Sequence, residues 1–285
     1  AMRATGTGIT GGDPMLDFDK TAEAVRALKD AFGPEHHIHC YTSIPIKPAQ
    51  AKELGEAGLD ELRFHLLDLS LDRYRDSVNA ASEAGICVGI ELPAEPDKHE
   101  KMHALLQELH NSPVEFLNLN ELEITVGNQH NMDVRGFNLA GGITAAAEGS
   151  AELAIELKQA AKDLDFHVKF CTASYKDAGQ LRSRFRRRGE ATLRPYEVLS
   201  EDDTILFGAI PCSLEDAADD MNELTEYLQL HENWIRFDGS TRRIEIPLSA
   251  AEDIASHLTV PVLMVEVHPT HERLEVGVVN LNQYR

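Results

Sequence analysis

The sequence predicts an α/β fold: a partial TIM-type (β/α)6 barrel of parallel strands, followed by a smaller C-terminal α+β domain. Three observations carry this. First, glycine closes a helical pattern at Gly33, Gly58 and Gly85, and an apolar run follows each, in AFGPEHHIHCYTS, EAGLDELRFHLL and EAGICVGIELP. The spacings of 25 and 27 residues suit one βα unit each, and glycine just past a helix end is the usual left-handed cap. Second, strands alternating with helices imply a parallel sheet joined by right-handed crossovers. Third, beyond about Gly189 the rhythm changes to βαββαββ.

In chain order, strands are expected to begin near Thr5, His37, Glu61, Cys87, Phe116 and His167. The last two come from the weaker joints NSPVEFLNLNELEIT and DLDFHVKFCTASY. Apolar residues recur at helical spacing over Phe18–Phe32, Ala49–Ala57, Leu71–Ala84, Lys98–His110 and Ala151–Ala161. Six units are fewer than the eight of a closed barrel, so the barrel is partial or a strand lies upstream. The Gly- and Asn-rich stretch Thr125–Gly149 has no clear period, and a connection of that length reads as a lid or binding loop. The expected domains are residues 1–188 and 189–285. In the second, Thr204–Ile210, Trp234–Phe237, Arg243–Ile246, Val260–His268 and Leu274–Leu281 read as strands, with helices over Leu214–Leu230 and Ala250–His257. Asp238-Gly239 makes a hairpin-like turn, and the order suggests a ferredoxin-like sandwich with one extra strand.

The chain carries 48 Asp+Glu against 27 Lys+Arg, a net charge of −21, and only 10 of the bases are Lys. Such a surface repels nucleic acid and anionic membranes. It suits concentrated salt, where screening removes self-repulsion, and so fits the cytoplasm of a halophilic organism. No apolar run has the length of a membrane helix, and no signal peptide opens the chain. The basic stretch Asp177–Arg188, with Arg182, Arg184, Arg186, Arg187 and Arg188, either contacts phosphates or bridges to acidic neighbours. Cys40, Cys87, Cys171 and Cys212 show neither disulfide nor zinc spacing.

Chemistry in a parallel barrel gathers at the carboxyl ends of its strands. There the sequence puts Thr10, Gly11, Gly12 and Asp13; then Tyr41, Thr42 and Ser43; Arg63 and His65; Glu91; Asn118, Asn120, Glu121 and Glu123; and Thr172, Ser174 and Lys176. In TGTGITGGDPML the double glycine can bare its amides to a ligand, Pro14 biases Asp13 toward extended backbone, and Asp13 can cap the segment after it. Polar residues inside runs such as LRFHLL and FLNLNELEI cost free energy unless paired or lining a cavity. Structural roles compete: Arg63 bridging to Asp60 or Glu91, His65 as a satisfied core histidine, the asparagines capping a strand end. His37 and His39 share a strand face but His36 points away, and no carboxylate or cysteine completes a metal set by spacing. His268, His271 and Glu272 make a similarly weak group.

The GITGGDPM turn closely resembles the glycine-glycine-acid-proline motif of radical S-adenosylmethionine (SAM) proteins. The ordered set GITGGDP, HIHCYTS, GLDELRFHL, VGIELPAEP, FLNLNELEI and VKFCTASYKD is similar to an archaeal branch near the pyruvate formate-lyase activating enzymes. The resemblance covers Thr5–Arg188. It implies a radical SAM enzyme that cleaves SAM reductively at a 4Fe-4S cluster and abstracts hydrogen from a substrate the sequence does not reveal. By position, Thr10, Gly11, Gly12 and Asp13 would meet the methionine part of SAM. Thr42, Ser43, Arg63 and His65 would lie near its ribose and carboxylate, and Glu91 and Asn118 near its ribose or adenine. Asn120, Glu121, Ser174 and Lys176 would face substrate. The family holds its cluster with cysteines spaced C-x3-C-x2-C ahead of the glycine motif, and this chain has no such spacing. The resemblance therefore puts the cluster cysteines and first strand upstream, assigns no metal ligand here, and makes the chain alone inactive. The alternatives are a non-radical barrel enzyme working by acid–base chemistry through Glu91, His65 and Lys176, or a degenerate nucleotide-binding module.

Overall fold

A computed structural model describes residues 4–283; residues 1–3 and 284–285, at the ends of the two expected domains, lie outside the described residues. The chain divides into Ala4–Lys176 and a second unit from Asp177 onward, which puts the whole basic helix in the second unit rather than the first.

The first unit alternates β1 (Gly6–Ile9), α1 (Phe18–Phe32), β2 (His37–Thr42), α2 (Pro48–Ala57), β3 (Glu61–Phe64), α3 (Arg75–Glu83), β4 (Cys87–Ala94), α4 (His99–His110), β5 (Phe116–Glu121), α5 (Gln129–Val134), α6 (Ser150–Ala160) and β6 (His167–Cys171). The strands pair in parallel in the order β1-β2-β3-β4-β5-β6. Neighbours in sequence are neighbours in the sheet, as right-handed crossovers winding in one direction demand. β1 and β6 end this order, so among the described residues the sheet stays open. Gly58, past the end of α2, has φ +94° and takes the left-handed conformation that lets the chain leave the helix.

Each strand has two unlike faces, because successive side chains alternate. Ile38, Cys40, Leu62, Phe64, Val88, Ile90, Leu117 and Leu119 are buried and join Leu54, Leu105 and Leu109 of the helices in one core. The opposite face presents His39, Tyr41, Glu61, Arg63, Glu91, Asn118 and Asn120. Sheets covered on both faces by helices are apolar throughout; a polar second face belongs to a sheet that lines a cavity. Register sets those side chains in rows, with Tyr41 opposite Arg63 and Glu91 opposite Asn118. Gly89 has no side chain in the row because a Cβ there would land on the Phe116 ring.

The connection after β5 is more ordered than its composition suggests. It holds α5 and two isolated bridges, Glu123 with Ala146 and Leu139 with Ala147. Leu122, Met132 and Ala147 bury one another beneath it.

A π-helical stretch, Tyr175–Leu181, runs across the boundary at Lys176 and leads into α7 (Arg182–Thr192) of the second unit. There follow β7 (Val198–Leu199), β8 (Ile205–Pro211), α8 (Ala217–Leu228), β9 (Arg236–Asp238), β10 (Arg243–Ile246), α9 (Leu248–Ile254), β11 (Leu263–Val267) and β12 (Glu275–Asn280). The antiparallel order is β12-β11-β8-β10-β9, with β7 beside β8. Thus the fourth, first, third and second strands of a βαββαβ unit lie side by side, and β12 is added outside the fourth. The β9–β10 loop is longer than a two-residue turn: Asp238 accepts hydrogen bonds from Ser240 and Thr241, and Arg243 pairs with Asp238 across the hairpin. Among the described residues no helix is long and apolar enough to cross a membrane.

Candidate functional site

A cavity of about 560 Å³ opens at the carboxyl ends of the parallel strands. Nine of the residues expected at the strand ends line it: Thr10, Tyr41, Arg63, His65, Glu91, Asn120, Glu121, Glu123 and Lys176.

The glycine corner stands at its rim. β1 ends at Ile9, and Thr10, Gly11 and Gly12 follow, all exposed. Gly11 has φ +134°, and a Cβ on either glycine would meet nothing within 4 Å. The corner is therefore bare and unplugged. Asp13 does not face this opening. Its carboxylate accepts from the Thr42 hydroxyl at 2.7 Å, the Ser43 hydroxyl at 2.8 Å, and the amides of Ser43 and Met15 at 2.7 and 3.0 Å. Burial would raise its pKa, but these hydrogen bonds outweigh burial and hold the carboxyl below its ordinary value. Ser43 is fixed from the other side by the buried Tyr74, whose hydroxyl donates to the Ser43 carbonyl at 2.8 Å. Asp13, Thr42 and Ser43 thus tie the end of β1 to the end of β2.

A charged network built on Arg63 forms part of the cavity wall. Its Nη1 donates to Glu91 Oε2 at 2.9 Å and to the Tyr41 hydroxyl at 2.8 Å, while its Nε contacts Glu61. The guanidinium lies over the Tyr41 and Phe116 rings, 5.1 and 5.6 Å from their centroids. Glu91 is saturated: Asn118 donates to Oε2 at 3.2 Å and Asn120 to Oε1 at 3.1 Å. Burial alone would lower the Arg63 pKa, but Glu61, Tyr41 and Glu91 raise it on balance. Burial and Glu91 push the Tyr41 phenol above its ordinary value. A carboxylate already holding a guanidinium and two amides is a poor general base and a good template, which weighs against acid–base chemistry through Glu91.

Several expectations are revised in detail. Asp60 is not the partner of Arg63; it accepts from Lys29 Nζ and from the Ile38 amide, each at 2.7 Å. His65 is an exposed residue at the mouth, with Nδ1 3.1 Å from the Glu91 carbonyl, and not a core histidine. Lys176 donates to Glu123 at 2.9 Å, and Glu121 accepts from the Ala173 amide at 2.7 Å. Ser174 is exposed and does not line the cavity. A carboxylate does join the histidines of β2: Glu61 sits opposite His39, and ligand atoms of His37, His39 and Glu61 lie within 4.8 Å of one another. His36 is bound elsewhere, 2.8 Å from the Thr7 hydroxyl. Among the described residues His268, His271 and Glu272 form no such group. In the second unit Arg182 and Arg186 both grip Asp203, at 3.1 and 2.7 Å, so part of the basic helix bridges to an acid of its own unit. Tyr41, expected at the end of the second strand, lines the cavity as well. Residues missed in the sequence are Glu61 and Tyr74, which nothing local marked.

The cysteines do not fit an iron–sulfur cluster. All four are free and lie on β2, β4, β6 and just after β8. Cys40 is buried in the helix-side core. Burial pushes the thiols of Cys40 and Cys87 up to about 12 and that of Cys212 up to about 11, whereas a cluster binds thiolate.

An open, singly wound parallel sheet with its polar cavity at the strand ends is the architecture of a partial-barrel enzyme. No protein-family model matches the chain. It is 32% identical, over 95% of its length and 74% of the relative's, to a protein of Methanocaldococcus jannaschii named as a glycyl-radical enzyme activating enzyme. The chain belongs to that family, within the radical SAM superfamily. Structural likeness to solved proteins is low. For 3-dehydroquinate dehydratase from Geobacillus kaustophilus the TM-score is 0.36 at 11% identity, over 56% of this chain and 59% of that one. For 3-keto-L-gulonate-6-phosphate decarboxylase from Vibrio cholerae it is 0.34 at 10% identity, over 60% and 77%. Neither likeness carries any argument about this chain.

Proposed function

We propose that this chain is the SAM-binding barrel of an enzyme that activates a glycyl-radical enzyme. The observation that carries the reading is the bare Thr10-Gly11-Gly12 corner beside a polar cavity at the mouth of the parallel sheet. SAM fits the residues present. Its methionyl end, bearing an ammonium and a carboxylate, suits exposed backbone amides and carbonyls with no side chain in the way. Asp13 acts through Thr42 and Ser43, holding the corner in place. Arg63 and His65 serve the ribose and carboxylate side, and Glu91 with Asn118 the ribose and adenine side. Asn120, Glu121 and Lys176 face the substrate, a backbone segment of a partner protein.

SAM, when bound and reduced, supplies a 5′-deoxyadenosyl radical able to abstract hydrogen. The four cysteines do not fit the 4Fe-4S cluster that would reduce it, so no step through the cluster is assigned to them. On this reading the chain binds SAM and leaves it uncleaved.

Isothermal titration of SAM into the full chain tests this. The wild type binds one SAM, and Gly12→Val, which fills the open corner, weakens binding at least tenfold. Equal affinity in the two proteins, or no binding by the wild type, refutes the assignment.

A further inference from the structure

We propose that His99, His103 and Glu156 form a site for a divalent transition-metal ion that clips α4 to α6, apart from the residues that line the cavity. His99 and His103 are four residues apart on a 12-residue helix, so both imidazoles project from one face. α6 lies alongside and brings up Glu156. The Nε2 atoms of both histidines are 2.9 Å from the same oxygen, Glu156 Oε1, and the rings stand 4.6 Å apart. Three ligand atoms of the kinds that bind zinc, cobalt or nickel thus converge on one point.

The spacing suits an ion. With metal–ligand bonds of about 2.1 Å, neighbouring ligands are roughly 3.0 Å apart around an octahedral ion and roughly 3.4 Å apart around a tetrahedral one. The two histidine–carboxylate distances of 2.9 Å match the first closely and the second to about half an ångström, and the two imidazole nitrogens lie within 4.8 Å of each other. The side chains are 50%, 31% and 51% exposed, so they can make that shift and leave the remaining positions to water. Imidazole selects zinc, cobalt, nickel or copper over magnesium and calcium. His37, His39 and Glu61 are a weaker candidate, because Glu61 already holds the Arg63 guanidinium beside that group. The clip has a structural use. α6 begins directly after the long connection that follows β5, and tying it to α4 fixes the far end of that connection.

The test is titration of the full, chelator-stripped chain with Zn²⁺, and with Co²⁺ to read coordination by d–d absorption. One ion binds per chain and the melting temperature rises with metal concentration. His99→Ala and His103→Ala each weaken binding at least tenfold, Glu156→Gln weakens it measurably, and His37→Ala leaves it unchanged. All four variants keep the wild-type circular dichroism, since the residues are at least partly exposed. The proposal is overturned if the wild type takes up no ion, if binding survives both α4 substitutions, or if it is lost in His37→Ala instead.

Discussion

Replacement of Asp13 by alanine removes the acceptor that joins two strand ends. Four donors lose their partner: the hydroxyls of Thr42 and Ser43 and the amides of Ser43 and Met15. A hydrogen bond to a charged acceptor contributes about 1.5–3 kcal/mol, but this site is only partly buried and water replaces some of what is lost. The net cost is about 2–4 kcal/mol. For a unit the size of Ala4–Lys176 each kcal/mol moves the melting temperature by roughly 2–4 °C, so the loss should appear as roughly 4–16 °C in calorimetry. Asp13→Asn should do no better, because its amide nitrogen must face a donor on one side. The pH dependence has a definite sign. The folded carboxyl titrates below its ordinary value. Its stabilising contribution is therefore complete above the ordinary carboxylate range and disappears as pH falls through the lowered value. The gap between wild type and Asp13→Asn must shrink on acidification. If Asp13→Ala melts within a degree of the wild type, or the gap widens in acid, the corner is held by something else.

The same packing sets further outcomes. Arg63→Met leaves Glu61 and Glu91 facing one another without their guanidinium and should cost about 3 kcal/mol in denaturant unfolding; Arg63→Lys restores the charge but not the fork, and should recover only part. Gly89→Ala drives a methyl into the Phe116 ring and should cost about 1–3 kcal/mol, with recovery in Gly89→Ala/Phe116→Leu. Anaerobic incubation of the chain with iron and sulfide should yield no stoichiometric four-iron cluster by metal analysis, and Cys40 and Cys87 should alkylate far more slowly than free cysteine at mildly alkaline pH.

Much of the barrel was legible because its signals are local. Glycines at Gly33, Gly58 and Gly85 end helices through their own backbone freedom, and alternation in HIHCYTS or ELRF sorts residues to two faces without help from the rest of the chain. The boundary between the units was not legible: the stretch from Tyr175 to Thr192 is helical throughout, so no break in composition marks where one set of contacts gives way to another. The stretch Thr125–Gly149 looked structureless because α5 is short and the rest of its order comes from two single bridges, Glu123 with Ala146 and Leu139 with Ala147, which leave no period in the sequence.

The sequence by itself determined the parallel, sequential strand order, the bare corner at Gly11-Gly12 and the set of polar residues aimed at the strand ends. Periodicity and glycine are properties of neighbouring residues, and the chain carries them wherever it goes. Only the tertiary structure decided which polar residues meet: Asp13 with Thr42 and Ser43, Arg63 with Glu61 and Glu91, His99 and His103 with Glu156. Those partners come together across strands and helices through sheet register and helix packing. Both are set by the burial of the whole core, and neither can be read from the spacing of the residues that meet.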